Sequence, residues 1–138
     1  MTRIIIPVIP VTKKNSQRII QVKGRPMIIP SAKYKQYEKE CGYFLENVEP
    51  ILGPCNVQCV YFMPTRRKVD LVNLQEATLD VLVRYGILID DNSDIVVSMD
   101  GSRVFYDKNL PRTEITITEV KNEKTESVYE DIKALENA

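Results

Sequence analysis

The segment at residues 66–95 carries carboxylates and cations at spacings that could support chemistry on phosphates. A basic run at 66–68 stands directly before the first of these carboxylates. Carboxylate oxygens suit Mg²⁺ or Mn²⁺, and Arg and Lys neutralise phosphates. The segment therefore indicates either metal-assisted hydrolysis of a phosphodiester or a solvated helix with charged ends. The carboxylates concerned are Asp70, Glu76, Asp80, Asp90 and Asp91.

The residue types that are missing narrow the chemistry further. The chain has no His, which excludes Ser-His and Cys-His catalysis and argues against a zinc site of the usual kind. Its three cysteines, at positions 41, 55 and 59, form no CxxC pair, so we expect them to be small buried side chains in a reducing compartment. Carboxylates, Lys, Arg, Tyr and a bound cation remain as the groups that could catalyse a reaction.

Length and hydropathy are typical of one globular domain. The 138 residues fit a single hydrophobic core, and 43% of them are hydrophobic. No apolar run approaches the roughly 20 residues that span a bilayer. The opening sequence MTRIIIPVIP is interrupted by two prolines and lacks a cleavage site, which makes it a poor signal peptide. We therefore expect a cytoplasmic protein with no membrane partner.

Charge is distributed unevenly, although the net charge is zero. Residues 1–35 contain eight Lys and Arg and no Asp or Glu, so a neutral total conceals a basic region. Two cationic runs, TKKNSQR and TRRK, are predicted to bind nucleic-acid phosphates, although each could also be a solvated loop. The predicted contacts are Lys13, Lys14, Asn15, Arg18, Arg66, Arg67 and Lys68.

The order of hydrophobic patterns predicts an α+β fold. It has a mixed or antiparallel sheet and two main helices, in the order β-ββ-α-β-α-β-β. One domain is expected over residues 1–120, followed by a charged tail at 121–138 that forms a short helix or stays mobile. Residues 23–25, KGR, are expected to form the turn of a hairpin between two short strands. Ser31 is expected to cap the first helix and Gly86 to end the second. The predicted strands lie at 3–9, 18–22, 26–29, 55–64, 94–106 and 112–120, and the predicted helices at 32–48 and 71–85.

The second helix is predicted to present a polar face. Asp70 is in position to cap its N-terminus. Asn73, Glu76 and Asp80 are three and four residues apart, so they share one side of the helix, away from its apolar stripe. A chain that returns antiparallel to this helix could bring the acidic pair at 90–91 near Asp70. Because like charges repel, such a cluster needs a cation or must be spread out.

These residues resemble those of the RusA-type Holliday junction resolvases, small endonucleases of bacteria and their phages. The resemblance runs from about Ile4 to Val120 and includes PVIPVTKKNS, SAKYKQY and RRKVDLVNLQEATLDVLVRYGILIDDNSDIV. The last stretch is similar to the family pattern of a basic run, D-x-D-N, a helix with Lys then Asp, and D-D-x-x-I. The resemblance implies a Mg²⁺-dependent homodimer that cuts four-way branched DNA by symmetric nicks. The positions that match the family's site are Asp70 and Asp91 as catalytic carboxylates, with Asn73, Asp80 and Asp90.

Two positions depart from that family pattern. Val72 replaces the second acid of D-x-D-N, and Glu76 stands where the family has a catalytic Lys. One hypothesis is a rebuilt site in which Glu76 supplies the missing acid and the Lys and Arg of the two cationic runs replace the Lys. A second hypothesis is a scaffold that binds branched DNA without cutting it. A third is a structural protein whose acidic surface cluster has no role in chemistry. We favour the rebuilt site because the number of acids is preserved.

Overall fold

The computed structural model describes residues 1–13, 17–121 and 129–137, and these form an α+β fold, as the sequence predicts. The elements are β1 (Thr2–Ile6), β2 (Gln17–Val22), β3 (Arg25–Pro30), α1 (Ala32–Gly42), β4 (Cys55–Met63), α2 (Leu71–Arg84), β5 (Val96–Ser98), β6 (Arg103–Tyr106), β7 (Arg112–Glu119) and α3 (Tyr129–Glu136).

Strand β4 is the centre of a five-stranded mixed sheet. It pairs antiparallel with β7, which pairs antiparallel with β1. Two short strands share the other edge of β4, and both are parallel to it: β5 lies beside Cys55 and Asn56, and β6 lies beside residues 60–63. Between β5 and β6 the chain therefore moves along β4 toward its C-terminal end. This path places β6 at the same end of the sheet as the loop that leads into α2.

Helices α1 and α2 cover one face of this sheet. Alternate residues of β4 and β7 are buried on that face, as the two-residue period of a strand requires. They form a single core with Tyr34 and Tyr37 of α1 and with Leu74 and Leu82 of α2. The buried strand residues are Cys55, Val57, Cys59, Tyr61, Thr113, Ile115 and Ile117.

The three cysteines belong to this core, as expected. All are buried and none is in a disulfide. Burial raises the pKa of the Cys41 thiol to about 11 and that of the Cys59 thiol to about 12. Both thiols are therefore protonated at neutral pH and pack as small apolar groups.

A two-stranded hairpin forms at the predicted KGR turn. Strands β2 and β3 pair from Gln17 opposite Pro30 to Val22 opposite Arg25. The two turn residues, Lys23 and Gly24, have φ of 52° and 77°. Positive φ at both central residues is the type I′ geometry that matches the twist of the flanking strands.

Helix α2 begins and ends where its capping residues predict. Asp70 is the N-cap, and Gly86 follows the helix with φ of 74°. In the interior, the Thr78 hydroxyl donates to the Leu74 carbonyl oxygen at 3.0 Å, so the Tyr61 hydroxyl donates to Thr78 Oγ1 at 2.6 Å. This buried bond connects the helix to the central strand.

Three elements differ from the sequence prediction. Strand β1 ends at Ile6 rather than at residue 9. Helix α1 ends at Gly42 rather than at residue 48, and residues 43–47 continue as turns with bonds such as Phe44 N to Cys41 O. These bonds span three residues and tighten the chain beyond an α-helix. The predicted strand at 94–106 is two strands, because a turn at 99–102 contains Gly101 with φ of 85°.

The charged tail contains a short helix, α3, which is one of the two states predicted for it. Residues 131–136 of α3 are exposed. Residues 122–128 and 138 of the tail lie outside the described part. Among the helices described in 1–13, 17–121 and 129–137, none is long and apolar enough to cross a membrane.

Replacing Gly86 by Ala should lower the free energy of unfolding by about 1–2 kcal/mol, the usual cost of a left-handed conformation for a residue with a Cβ. No atom lies within 4 Å of the added Cβ, so the cost is conformational rather than steric. Gly53→Ala is the matched control, since Gly53 has equal space and no positive φ. Urea unfolding of both variants measures the difference, and equal stabilities would contradict the assignment of Gly86 as the helix terminator.

Candidate metal centre and nucleic-acid interface

Asp70 is held at the N-terminus of α2 by the backbone of the helix. Its Oδ1 accepts a hydrogen bond of 3.0 Å from the amide nitrogen of Val72. The amides of the first helical turn have no partner within the helix, so a carboxylate at this position can accept from one of them. The residue is exposed, so this carboxylate is accessible directly after the basic loop at 65–68.

The predicted polar face of α2 is present. Asn73 and Asp80 are half-buried and Glu76 is exposed. With a rise of about 1.5 Å per residue, Asp70 and Asp80 lie about 15 Å apart along the helix axis, and Glu76 lies about 6 Å from Asp80. Mg²⁺ holds its ligand oxygens at roughly 2.0–2.1 Å, so Asp70 and Asp80 cannot bind one ion.

The chain reverses after α2 and returns beside it. The amides of Ile87 and Leu88 both donate to the Leu82 carbonyl oxygen, at 2.9 and 3.2 Å. The return brings Asp91 within electrostatic range of Asp80. The sequence predicted that the acidic pair at 90–91 would lie near Asp70, at the start of α2. In the structure, the α2 carboxylate whose charge acts on Asp91 is Asp80, in the second half of the helix.

Hydrogen bonds organise the acidic pair. Asp90 Oδ1 accepts from the Asp91 amide at 2.7 Å, and its Oδ2 accepts from Asn92 Nδ2 at 3.1 Å. Such bonds lower the pKa of Asp90. The pKa of Asp91 is raised, first by partial desolvation, then by its contact with Asp90 and by the charges of Asp90 and Asp80. Asp91 is thus a carboxylate whose charge a nearby cation would stabilise.

Lys13 brings a cation from the segment after β1 to the acidic face of α2. Its Nζ lies 3.4 Å from Asp80 Oδ2, and it lies 5.9 Å from the ring centroid of Tyr34 in α1. Both partners of the ion pair are about one-third exposed, so solvent weakens the attraction. The pair positions Lys13 beside the carboxylates rather than on a separate basic surface.

The carboxylates do not form a complete cage. Within residues 1–13, 17–121 and 129–137, no three Asp, Glu or Cys side chains are grouped closely enough to hold one metal ion. The predicted convergence of Asp70, Glu76 and Asp91 is therefore not seen in the chain by itself. Mg²⁺ usually takes one or two protein carboxylates, with waters and phosphate oxygens completing its shell. The neighbouring Asp80 and Asp91 fit that smaller requirement.

The basic loop at 65–68 borders two shallow cavities at the N-terminal end of α2. One, of about 500 Å³, is lined by Arg67 and Lys68 and by Lys33 at the start of α1. The other, of about 380 Å³, lies between Arg66 and β6. Cations at such density can neutralise several phosphates of one polyanion.

The remaining predicted phosphate contacts are not all described. Lys14 and Asn15 lie outside the described residues. Arg18 lies in β2, but its side chain is outside the described part as well.

Two features of this surface were missed by reading the sequence. Lys33 is one of the cations of the basic region 1–35 but is not among the predicted phosphate contacts, although it lines the same cavity as the basic loop. Phe105 and Tyr106 of β6 lie in the predicted strand at 94–106, which gives them no functional role. The signal in the sequence is the run RVFY, which does not alternate between apolar and polar residues; in the structure all four of these residues are exposed.

The chain is similar to known nucleases over most of its length. The family model described as endodeoxyribonuclease RusA matches residues 7–118. The crossover junction endodeoxyribonuclease RusA of Escherichia coli K12 is 32% identical over 107 residues, covering 73% of this chain and 82% of that protein. The protein of the same name from Shigella sonnei is 33% identical over the same shares. That of Enterobacteria phage 82 is 37% identical over 73 residues, covering 51% of this chain and 56% of that protein.

Replacing Asp90 by Asn should lower the pKa of Asp91 in the metal-free protein. The change removes a repelling charge, but desolvation remains, so the pKa returns only part of the way to its ordinary value. The titration of the Asp91 side-chain carboxyl carbon, followed by NMR, measures the shift. Asp94→Asn, in the same loop, is the control and should move it much less. An unchanged Asp91 titration in Asp90→Asn would show that the pair is not coupled.

Proposed function

The chain belongs to the endodeoxyribonuclease RusA family, and from this premise we propose that it is a divalent-metal-dependent endonuclease that cuts four-way DNA junctions by paired, symmetric nicks. The observation that carries the proposal is the family match from residue 7 to residue 118, which includes the basic loop, α2 and the acidic return. The relatives' names supply the class of substrate, a crossover junction in DNA.

Mg²⁺, with Mn²⁺ as the alternative, is the cofactor that these residues fit. Asp91 and Asp80 would hold it, with Glu76 about one helical turn from Asp80 and Asp90 accepting a hydrogen bond from the Asp91 amide. Asp70, the other catalytic carboxylate in this proposal, lies at the N-terminal end of α2. When bound, the metal supplies an activated water and neutralises the charge that develops on the phosphate. The raised pKa of Asp91 supports this assignment, because a bound cation would offset both the partial desolvation and the neighbouring negative charges that raise it.

The cations have separate tasks in this proposal. Arg66, Arg67 and Lys68 would hold the DNA backbone along the N-terminal end of α2. Lys13 lies beside Asp80, which places a positive charge next to the reacting phosphate if that phosphate binds at the acidic face. Lys13 is thus the candidate on this chain for the electrostatic role that the family gives to the Lys at the position of Glu76.

A second candidate function is a protein that binds junctions without cutting them. Two observations favour it. Val72 is 64% exposed, so an apolar side chain takes the accessible position where the family has an acid. Among the described residues, no three carboxylates lie close enough together to hold one metal ion. Both functions require the same DNA-binding surface and differ only in whether the carboxylates support cleavage.

We also propose a homodimer, because paired nicks in a two-fold symmetric junction require two equivalent sites. Light scattering should then give a mass near twice 15.9 kDa. Symmetric cleavage by a protein that is monomeric throughout would contradict the dimer.

Cleavage of a synthetic four-way junction in Mg²⁺ or Mn²⁺ tests the proposed function. Wild type should cut and should stop when the metal is chelated, and Asp70→Asn should not cut. Asn caps helices as well as Asp, so this variant should keep its stability, whereas Asp70→Ala should lose about 1 kcal/mol as well. Asp131→Asn in α3 is the control for removal of an exposed charge. If wild type binds the four-way junction with high affinity but never cuts it, the protein is a junction-binding protein without nuclease activity.

Replacing Glu76 by Gln should abolish cleavage but leave junction affinity within about twofold. The substitution removes a carboxylate without changing its size, so it tests whether Glu76 replaces the acid missing at Val72. Glu46→Gln is the matched control, an exposed Glu in the turn after α1. If Glu76→Gln cuts as fast as wild type, the rebuilt site is wrong and Asp80 becomes the next acid to test.

Junction binding should weaken steeply with salt, and replacing Arg66 and Arg67 together by Gln should flatten that dependence. Each phosphate contact contributes about 0.9 to the slope of log affinity against log salt, so the slope should fall by up to about 1.8. Lys39→Gln combined with Lys121→Gln removes the same charge elsewhere and should leave the slope nearly unchanged. Fluorescence anisotropy at several salt concentrations gives the slopes, and equal slopes for both double variants would place the DNA on another surface.

A further inference from the structure

A polar cavity of about 510 Å³ lies between α1 and the C-terminal end of α2. Among the described residues that line it, Glu38 is the one acid, and the cations are Lys13, Lys35, Lys39 and Arg84. Arg84 Nε lies 3.0 Å from Glu38 Oε1, so the carboxylate is already paired within the lining. A surplus of positive charge remains, and it complements an anion rather than a metal ion.

Tyr34 is the buried member of this lining, and its hydroxyl lacks a partner. The residue is 2% exposed, and among the described residues no group of normal geometry hydrogen-bonds to the hydroxyl. Burial first, and then the charges of Glu38 and Asp80, raise the pKa of Tyr34, so the hydroxyl keeps its proton and can donate a hydrogen bond. An unpaired buried hydroxyl is unfavourable, and in the wall of a cationic cavity an anionic oxygen is the acceptor that suits it.

Lys13 connects this cavity to the acidic face of α2. It lines the cavity, and its Nζ lies 3.4 Å from Asp80 Oδ2. A group held beside Lys13 is therefore next to the carboxylates where the proposed function places the reacting phosphate. Phosphates of one DNA strand follow each other at about 3.4 Å along the duplex axis, so a phosphate close to the reacting one is the anion that this cavity would meet first.

The cavity has two ends that differ in their neighbours. Lys13 lies 5.9 Å from the ring centroid of Tyr34, and Lys35 follows Tyr34 in α1, so these three residues mark one end. Lys39 is about one helical turn further along α1, and it lines the neighbouring cavity of about 480 Å³ as well, as does Tyr85. Lys39 therefore stands at the other end and is the matched comparison for Lys35.

We propose that the Lys13 end of this cavity binds a DNA backbone phosphate beside the reacting one, with the Tyr34 hydroxyl donating to a phosphate oxygen and Lys13 and Lys35 neutralising its charge. The inference rests on the proposed function for the identity of the nucleic acid, and it adds a phosphate contact toward the C-terminal end of α2, away from the basic loop. The hydroxyl is closed to solvent in the free chain, so a lining side chain changes rotamer when the phosphate enters, as is common on binding.

The affinity for a synthetic four-way junction, measured by fluorescence anisotropy with a chelator in place of divalent metal, tests this site apart from cleavage. Lys35→Gln should lower the slope of log affinity against log salt by about 0.9, the contribution of one phosphate contact. Lys39→Gln removes the same charge from the same helix and should leave the slope nearly unchanged. Equal slopes for the two variants, lowered or not, would overturn the phosphate site.

Tyr34→Phe separates a ligand contact from a purely structural role. Junction affinity should fall by about 10-fold, the usual effect of losing one hydrogen bond to a charged group. The urea midpoint of the protein without DNA should stay the same or rise, because the variant removes an unpaired buried hydroxyl. Tyr37→Phe, in a buried Tyr of α1 that does not line the cavity, should leave the affinity unchanged. A lower midpoint and an unchanged affinity in Tyr34→Phe would assign the hydroxyl to the core and overturn the proposed contact.

A series of junctions in which one phosphate at a time is replaced by a neutral methylphosphonate locates the contact. Wild type should lose affinity at several positions, and Lys35→Gln should be insensitive at one of them, because the charge that met that phosphate is already gone. Arg66→Gln should be insensitive at a different position. If Lys35→Gln and wild type respond alike at every position, the cavity does not hold a backbone phosphate.

Free phosphate is the other source of the same chemistry, and calorimetric titration of the full chain with inorganic phosphate distinguishes it. If Lys35→Gln and Tyr34→Phe abolish binding of inorganic phosphate but leave junction affinity unchanged, the cavity is a site for a free anion and the proposal is wrong. Junction cleavage in Mg²⁺ is scored separately. A protein that holds junctions through this cavity but never cuts refutes only the nuclease function, and one that cuts while Lys35→Gln keeps the wild-type slope refutes only the phosphate site.

Discussion

The position of α2 on the inner face of the sheet is the constraint on which the candidate site depends. Leu74 and Leu82 of the helix are buried, and the Tyr61 hydroxyl reaches Thr78 through a bond of 2.6 Å inside the core. Sliding or rotating the helix would leave a buried hydroxyl without a partner, which costs about 1–3 kcal/mol. The helix can therefore turn only one side outward, and that side carries Glu76 and Asp80.

Charge repulsion organises the surface that this orientation creates. The charge of Asp80 acts on Asp91, whose pKa is raised first by partial desolvation and then by its contact with Asp90 and the nearby carboxylate charges. Lys13 offsets part of that charge from a distant part of the chain, through its ion pair with Asp80. The acidic region is thus partly neutralised by the protein itself, and a divalent cation would complete the compensation under the proposed function.

Helix α2 separates two chemically different regions. The cations of the basic loop and the aromatic edge of β6 lie at its N-terminal end, and Asp80 and Asp91 lie toward its other end. The helix rise places Asp70 and Asp80 about 15 Å apart. One DNA strand advances 3.4 Å per nucleotide, so a strand that touched both regions would extend over about four nucleotides. The basic loop and the proposed metal site would therefore contact different nucleotides of one substrate.

Local features were determined by the sequence alone. The caps of α2, the KGR hairpin and the α+β class were predicted because a capping side chain, a turn with positive φ and a hydrophobic period each act over a few neighbouring residues. Only the tertiary structure decided that α1 ends at Gly42, that β5 and β6 are separate strands, and that the charge of Asp80 acts on Asp91. Each depends on residues far apart in the chain: Gly42 against Tyr85, β6 beside the end of β4, and the return of the chain past Leu82. The hydrophobic period predicts on which side of its own helix or strand a side chain lies. Packing between elements then decides which residues of other elements that side contacts.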